Sequence, residues 1–197
     1  MDILIDRKYK ITLLGDGAVG KTSLRKNFMG EAFSTKYNMT LGSDFAVKNL
    51  EVDESDVMLV IWDLAGQPRF SAVREAYYRG SRGALIVFDL TRAESYENLA
   101  NWVAELVKNN GYRKIPIVLI GNKMDLRGSL YNTIPKKYGE NYAKRLGDWS
   151  GFDVQYIETS AKFGDNVQVA FSKLVKQIIK STLKGIAKPQ FQSEPSI

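Results

Sequence analysis

The sequence predicts an α/β domain built on a mostly parallel sheet that is covered on both faces. Six short, apolar, β-rich segments alternate with stretches of helical period. Several of those segments are too continuously apolar to keep one face in water, as buried parallel strands are. The length, 197 residues with 44% hydrophobic and 25% charged side chains, suits a single domain. A domain over residues 1–185 is expected, with a loose tail at 186–197 that carries Pro189, Pro195 and two Gln.

The first strand is expected over Tyr9–Leu14, and the helix after it places Leu24 and Phe28 one turn apart. Phe45–Val52 and Val57–Leu64 follow as strands joined only by Asp53-Glu54-Ser55-Asp56, a connection short enough for an antiparallel hairpin at one edge. Ala84–Leu90 is the fourth strand. The stripe Leu99, Trp102, Val103, Leu106 and Val107 marks the next helix, and Ile117–Ile120 the fifth strand. Pro135 opens a helix bearing Tyr138, Tyr142 and Leu146, and Val154–Thr159 is the sixth strand. The last helix aligns Val167, Ala170, Phe171, Leu174, Val175, Ile178 and Ile179 before Gly185.

Composition removes whole classes of chemistry. The chain has no Cys and no His. Disulfides, thiolate nucleophiles, Cys-ligated metals and serine-hydrolase triads are excluded, and so is a cysteine to carry a lipid. Carboxylates, amides, hydroxyls, lysine, backbone N–H groups or a hard metal ion must do the work. The longest apolar run, Val57 to Trp62, falls far short of the roughly 20 residues that span a bilayer. The N-terminus lacks the basic start and apolar stretch of a signal peptide, so a cytoplasmic location is expected. The net charge of +6 is uneven: residues 173–197 hold five Lys and one Glu, leaving +2 for the rest. A nucleic-acid groove across the body is therefore disfavoured, so no nucleic-acid partner is expected.

Directly after the first strand, Gly15-Asp16-Gly17-Ala18-Val19-Gly20-Lys21-Thr22 fits G-x-x-x-x-G-K-[ST], with a helix following. Such a loop curls so that successive N–H groups point at phosphate oxygens, and the helix N-terminus adds positive potential. Lys21 reaches β- and γ-phosphates and Thr22 ligates Mg²⁺. Asn122-Lys123-Met124-Asp125 lies at the carboxyl end of the fifth strand, where α/β sheets bind ligands. A carboxylate there accepts from both N1–H and the 2-amino group of guanine, whereas adenine offers neither donor, so Asp125 selects guanine. Ser160-Ala161-Lys162, after the sixth strand, can give a backbone N–H to guanine O6.

Together these motifs resemble the Ras superfamily of small GTPases over about Tyr9 to Leu183. The Rab branch is the most similar, through Leu41-Gly42-Ser43-Asp44-Phe45, Trp62-Asp63-Leu64-Ala65-Gly66-Gln67-Pro68-Arg69-Phe70, Tyr77-Tyr78-Arg79-Gly80 and Phe88-Asp89-Leu90-Thr91. The resemblance implies a P-loop G domain: six strands, one of them an antiparallel edge strand, and five helices. It also implies GTP and GDP as substrate and product, Mg²⁺ as cofactor, and switch segments near Ser34–Asp44 and Gly66–Tyr78. By that likeness Ser23 completes the phosphate-loop set, and Thr40 ligates Mg²⁺ when a γ-phosphate is present. Asp63 holds the ion through water, the Gly66 N–H binds the γ-phosphate, Gln67 orients the attacking water, Phe33 packs on the guanine and Tyr37 closes over the phosphates. Each residue taken singly has a plainer alternative, such as a loop hydroxyl for Thr40, a strand-end cap for Asp63 or core packing for Phe33.

The likeness further implies effectors that read the switches and Phe45, Trp62 and Tyr77, together with an exchange factor and a GTPase-activating protein. The three aromatics are otherwise edge-strand core. Three departures stand out. Pro68 replaces the acidic residue common after the glutamine; it predicts a switch II helix starting at Pro68 and an extended Gln67. The stretch between Asp125 and Ser160 is longer than usual, with extra material at 127–132 and 148–153, which is either a tolerated surface loop or a partner site. The end Ser-Glu-Pro-Ser-Ile lacks prenylated cysteines, so either the chain is truncated or it works without a lipid anchor, as an archaeal or other unprenylated relative would. Lys173, Lys176, Lys180, Lys184 and Lys188 on the basic C-terminal helix are either a peripheral membrane contact or a solvated face.

Overall fold

Six strands form one sheet in the order β2-β3-β1-β4-β5-β6 in a computed structural model that describes residues 7–32, 43–53, 55–66, 71–129 and 132–186. They are β1 (Lys8–Leu14), β2 (Ser43–Val52), β3 (Ser55–Leu64), β4 (Gly83–Asp89), β5 (Ile117–Asn122) and β6 (Gln155–Thr159). All neighbours pair in parallel except β2 and β3. That antiparallel ladder closes at Val52↔Ser55, tighter than the four-residue connection expected, and Asp53 takes the left-handed φ of 48° that so short a turn favours.

The helices are α1 (Lys21–Met29), α2 (Ser71–Tyr78), α3 (Ala93–Glu97), α4 (Leu99–Asn109), α5 (Lys136–Ser150) and α6 (Val167–Ile186). Helices α3 and α4 meet at Asn98, whose φ of −74° stays helical and whose N–H reaches Glu94 O. They form one bent unit, so the described helices amount to the five expected. Helix α6 runs through Gly185, where the sequence suggests a stop. One glycine costs only about 1 kcal/mol, too little to end a helix already propagated for about five turns.

Two cores flank the sheet. On one face Ile11, Leu13, Leu59, Ile61, Leu85 and Val87 meet α1 and α6, where the Phe28 and Phe171 rings stack 3.8 Å apart. On the other, Leu14, Ala84, Ile86, Phe88 and Leu119 meet α2, α4 and α5. Every residue of β4 is buried, as a central strand covered on both faces requires.

Helix α5 departs from the expected stripe. Its buried positions are Gly139, Ala143, Leu146 and Ser150, while Tyr138 is exposed and Tyr142 half-buried, both packing edge-on against Tyr96. The reason is Tyr156, whose ring fills the space above Gly139: a Cβ there would meet ring carbons at 2.2–2.6 Å. Gly139→Ala is expected to lower stability by about 1–3 kcal/mol, seen in denaturant titration, and Tyr156→Ala in the same chain to remove the clash.

Candidate functional site

The carboxyl ends of β1, β3, β4, β5 and β6 open on one pole of the domain, and the motif residues follow them in turn. After β1 the loop of residues 15–20 turns into α1 through residues in left-handed conformations, including Ala18 at φ 63° and Gly20 at φ 101°. Only glycine suits the second position, because a Cβ on Gly20 would lie 2.2 Å from Asn122 Nδ2. Gly66, after β3, is equally constrained, its Cβ position being 2.3 Å from the Asp16 carbonyl carbon. The two chain segments that approach the phosphate position thus touch backbone to backbone.

Lys21 begins α1 and is buried. Its ammonium donates to Gly15 O at 2.7 Å and Asp16 O at 2.8 Å. Burial pushes its pKa down to about 8, against the attraction of Asp63 and Asp16. A desolvated cation held only by carbonyls is well placed to take an anionic ligand. Thr22 Oγ1 donates to Asp63 Oδ2 at 2.5 Å. Asp63 is fully buried, its pKa is raised by that burial, and its Oδ1 has no hydrogen-bond partner among the described residues. An orphaned buried carboxylate oxygen beside a hydroxyl is the donor set a hard divalent cation takes, so the residues fit Mg²⁺. Among the described residues no group of three or more His, Cys, Asp or Glu could hold a metal ion.

Asn122 joins the two halves of the site. Its buried side chain donates through Nδ2 to Val19 O at 2.8 Å in the phosphate loop. Its Oδ1 accepts from Thr159 Oγ1 at 3.0 Å and from the Ala161 N–H at 3.1 Å. Asp125 sits in a short 3₁₀ turn, Met124–Leu126, where its Oδ1 accepts from Ser160 Oγ at 2.7 Å. Lys123, left-handed at φ 69°, pairs with Asp89 Oδ2 at 2.6 Å. The structure therefore brings Lys21, Thr22, Asp63, Gly66, Asn122, Lys123, Asp125 and Ser160–Lys162 to one pole. Phe33, Tyr37, Thr40, Gln67 and Pro68 lie outside the described residues, as does the start expected for the switch II helix.

Several supporting contacts escaped the sequence reading. Asp16 turns its carboxylate away from the loop, accepting from Trp102 Nε1 at 2.7 Å and Asn98 Nδ2 at 2.9 Å, while Arg92 Nη2 donates to Gly17 O at 2.7 Å. The α3–α4 unit thus grips the phosphate loop from outside. Arg127, near the start of the 126–159 stretch, makes a bidentate pair with Glu158 and donates to Thr133 Oγ1 and Ile134 O. Outside the site, Phe45, Trp62 and Tyr77 form a row with ring centroids 5.3 and 5.0 Å apart. Phe45 is 57% exposed, which removes it from any edge-strand core.

A sheet of this order, with a phosphate loop between β1 and α1 and the Asn-Lys-x-Asp and Ser-Ala-Lys loops after β5 and β6, defines a P-loop G domain. The Ras family model matches residues 10–180. Ras-related protein RABA1b of Arabidopsis thaliana is 40% identical over 91% of this chain and 79% of its own length. Ras-related protein rab-11.1 of Caenorhabditis elegans is 38% identical over 89% and 79%, and human Ras-related protein Rab-8B 36% identical over 88% and 80%. The chain belongs to the Ras family, as a Rab-like small GTPase.

Proposed function

We propose that the chain binds GTP with Mg²⁺, hydrolyses it to GDP and phosphate, and presents a different surface to effectors in the two states. The observation that carries this reading is Asn122, a buried amide that locks the phosphate loop to the Asp125 and Ser160 loops in one rigid unit. Asp125 reads the guanine N1–H and 2-amino groups, and the loop of Ser160, Ala161 and Lys162 offers amides to O6. The Ala161 N–H already serves Asn122, so O6 shares or replaces that acceptor. Thr22 and Asp63 would hold Mg²⁺, joined by Thr40 in the triphosphate state, and the ion would supply neutralisation of phosphate charge.

The protein's own part is positioning and charge stabilisation. Lys21 exchanges its two carbonyl partners for phosphate oxygens, the amides of residues 15–23 line the phosphates, and the Gly66 N–H holds the γ-phosphate. Phe33 and Tyr37 cover base and phosphates, and Gln67 orients water for attack. Residues 34–40 include Lys36 and no Arg. Intrinsic turnover is therefore expected below the ~10⁻² s⁻¹ of P-loop enzymes with a built-in arginine, with a GTPase-activating protein supplying the missing charge. Single-turnover hydrolysis by the purified chain measures this, and a rate at that level counts against it.

Effectors dock on the switches and on Phe45, Trp62 and Tyr77, with an exchange factor acting at the same pole and no nucleic-acid partner. No described helix is long and apolar enough to cross a membrane. Chromatography of the nucleotide released from purified protein, followed over time with Mg²⁺, tests the whole reading. GTP converted to GDP is expected. Persistent GTP indicates a binding adaptor without turnover, and an adenine nucleotide rejects both.

A further inference from the structure

Arg92 belongs to no motif, yet the fold aims it at the phosphate loop. It stands between β4 and α3 on a backbone held from several sides. Its N–H donates to Asp89 O at 3.0 Å, and its carbonyl accepts from the Ser95 N–H at 3.1 Å and from Ser95 Oγ at 2.7 Å. Ser95 is fully buried. Asp89 is in turn held by Thr91, through the N–H at 2.9 Å and Oγ1 at 2.7 Å, and by Lys123. The root of the Arg92 side chain is therefore rigid, and from it Nη2 reaches Gly17 O, 75 residues away in the sequence, at 2.7 Å.

Pairing with Asp16 does not account for this contact. Arg92 Nη2 is 4.0 Å from Asp16 Oδ2, and both Asp16 oxygens already accept shorter bonds, from Trp102 and Asn98. The guanidinium puts its close bond on a carbonyl of the phosphate loop instead. Gly17 C=O and Ala18 N–H are the two ends of one planar trans peptide and point in opposite directions. A cation that binds the oxygen from outside the loop turns the N–H inward, and it draws electron density toward the oxygen, which makes the N–H a stronger donor. Ala18 holds a left-handed φ of 63°, a conformation that lines up successive N–H groups around an anion. The field of Arg92 also reaches the phosphate position. Next to the dominant effect of burial, its charge and that of Arg74 help to hold the Lys21 pKa down.

We propose, on the guanine-nucleotide reading above, that Arg92 is a positioning residue of the phosphate loop, fixing and polarising the Gly17–Ala18 peptide so that the Ala18 N–H holds nucleotide phosphate more firmly. Acting through a peptide, Arg92 does not deliver charge to the γ-phosphate itself, so the need for an arginine from an activating protein stands.

Release of a fluorescent GDP into excess unlabelled GDP tests the proposal, with Mg²⁺ chelated so that the protein alone holds the phosphates. Arg92→Ala is expected to release GDP about 10-fold faster, a bond from a charged donor being lost. Arg92→Lys, which keeps a charged donor, is expected to return toward the parent rate, and Arg92→Gln, a donor without charge, to fall between. In phosphorus NMR the resonance of the bound β-phosphate is expected to move in Arg92→Ala and to return in Arg92→Lys, a pattern that lost packing alone does not produce. The side chain is 37% exposed, so these variants are expected to fold. Should Arg92→Ala fail to do so, Arg92→Lys against Arg92→Gln decides, and equal release from the two overturns the proposal. Unchanged release in Arg92→Ala, equal acceleration in all three variants, or a β-phosphate resonance indifferent to the side chain at this position overturns it too, while GDP binding by the parent stands. A parent that holds no guanine nucleotide overturns the underlying reading as well.

Discussion

Asp125→Asn is expected to weaken GDP binding by about 10²-fold and to raise affinity for xanthosine diphosphate, read by competition against a fluorescent guanine nucleotide. A carboxylate presents two acceptors, matching the two donors on the N1–C2 edge of guanine. An amide presents one acceptor and one donor, so one guanine donor meets another donor and is left unpaired. Xanthine carries a carbonyl at C2 and keeps N1–H, the pattern an amide satisfies. Sites built around hydrogen bonds discriminate strongly because the mismatch leaves buried polar groups unpaired. The local fold should survive, since Ser160 Oγ, 2.7 Å from Asp125 Oδ1, donates to an amide oxygen as readily. Unchanged GDP affinity would remove Asp125 as the base reader, and with it the main ground for preferring guanine.

The parts of this site visible in the sequence are those whose chemistry is local. Gly15 to Thr22 announces a phosphate loop because its residues act on one ligand from consecutive positions, and the apolar continuity of β4 announces a covered strand. What stayed hidden depends on contacts between distant residues of ordinary type. Asn122 has the motif's signature, yet its work as a joint to Val19 and Ala161 becomes visible only when β1, β5 and β6 are adjacent. Asp16 reads as one more loop residue, and only the α3–α4 unit reveals that its carboxylate faces Trp102 and Asn98. The α5 stripe misled for the same reason. Tyrosines looked like the buried face, but the ring of Tyr156, from another element, claims the volume and leaves room for Gly139 and Ala143.

Arg74→Ala is expected to cost about 3–5 kcal/mol of stability. Arg74 rises from α2 into the second core, where it is 3% exposed. It donates through Nε and Nη2 to both oxygens of Glu105 on α4, at 2.7 and 2.9 Å, and through Nη1 to Ala65 O at 3.0 Å. Its guanidinium lies 4.6 Å from the Trp102 ring, and Tyr78 Oη donates to the same carboxylate at 2.8 Å. Burial works against the Arg74 charge, but the hydrogen bonds and charge of Glu105 outweigh it and raise the Arg74 pKa. Truncation would strand Glu105 with only Tyr78 to hold it, which is where the cost arises. Breaking the pair and replacing it are different experiments. Arg74→Met with Glu105→Leu and Tyr78→Phe removes every group that would be left unpaired and is expected to regain most of the loss in denaturant titration. The pair also joins α2 to α4 and, through Trp102, to Asp16 in the phosphate loop. If it serves only stability, the triple variant should bind nucleotide like the parent. If the charged connection carries the nucleotide state to α2, the same variant should be stable yet show a smaller difference in effector capture between GTP and GDP. A triple variant as unstable as Arg74→Ala would show instead that packing around Trp102, not the ion pair, sets the energy of this contact.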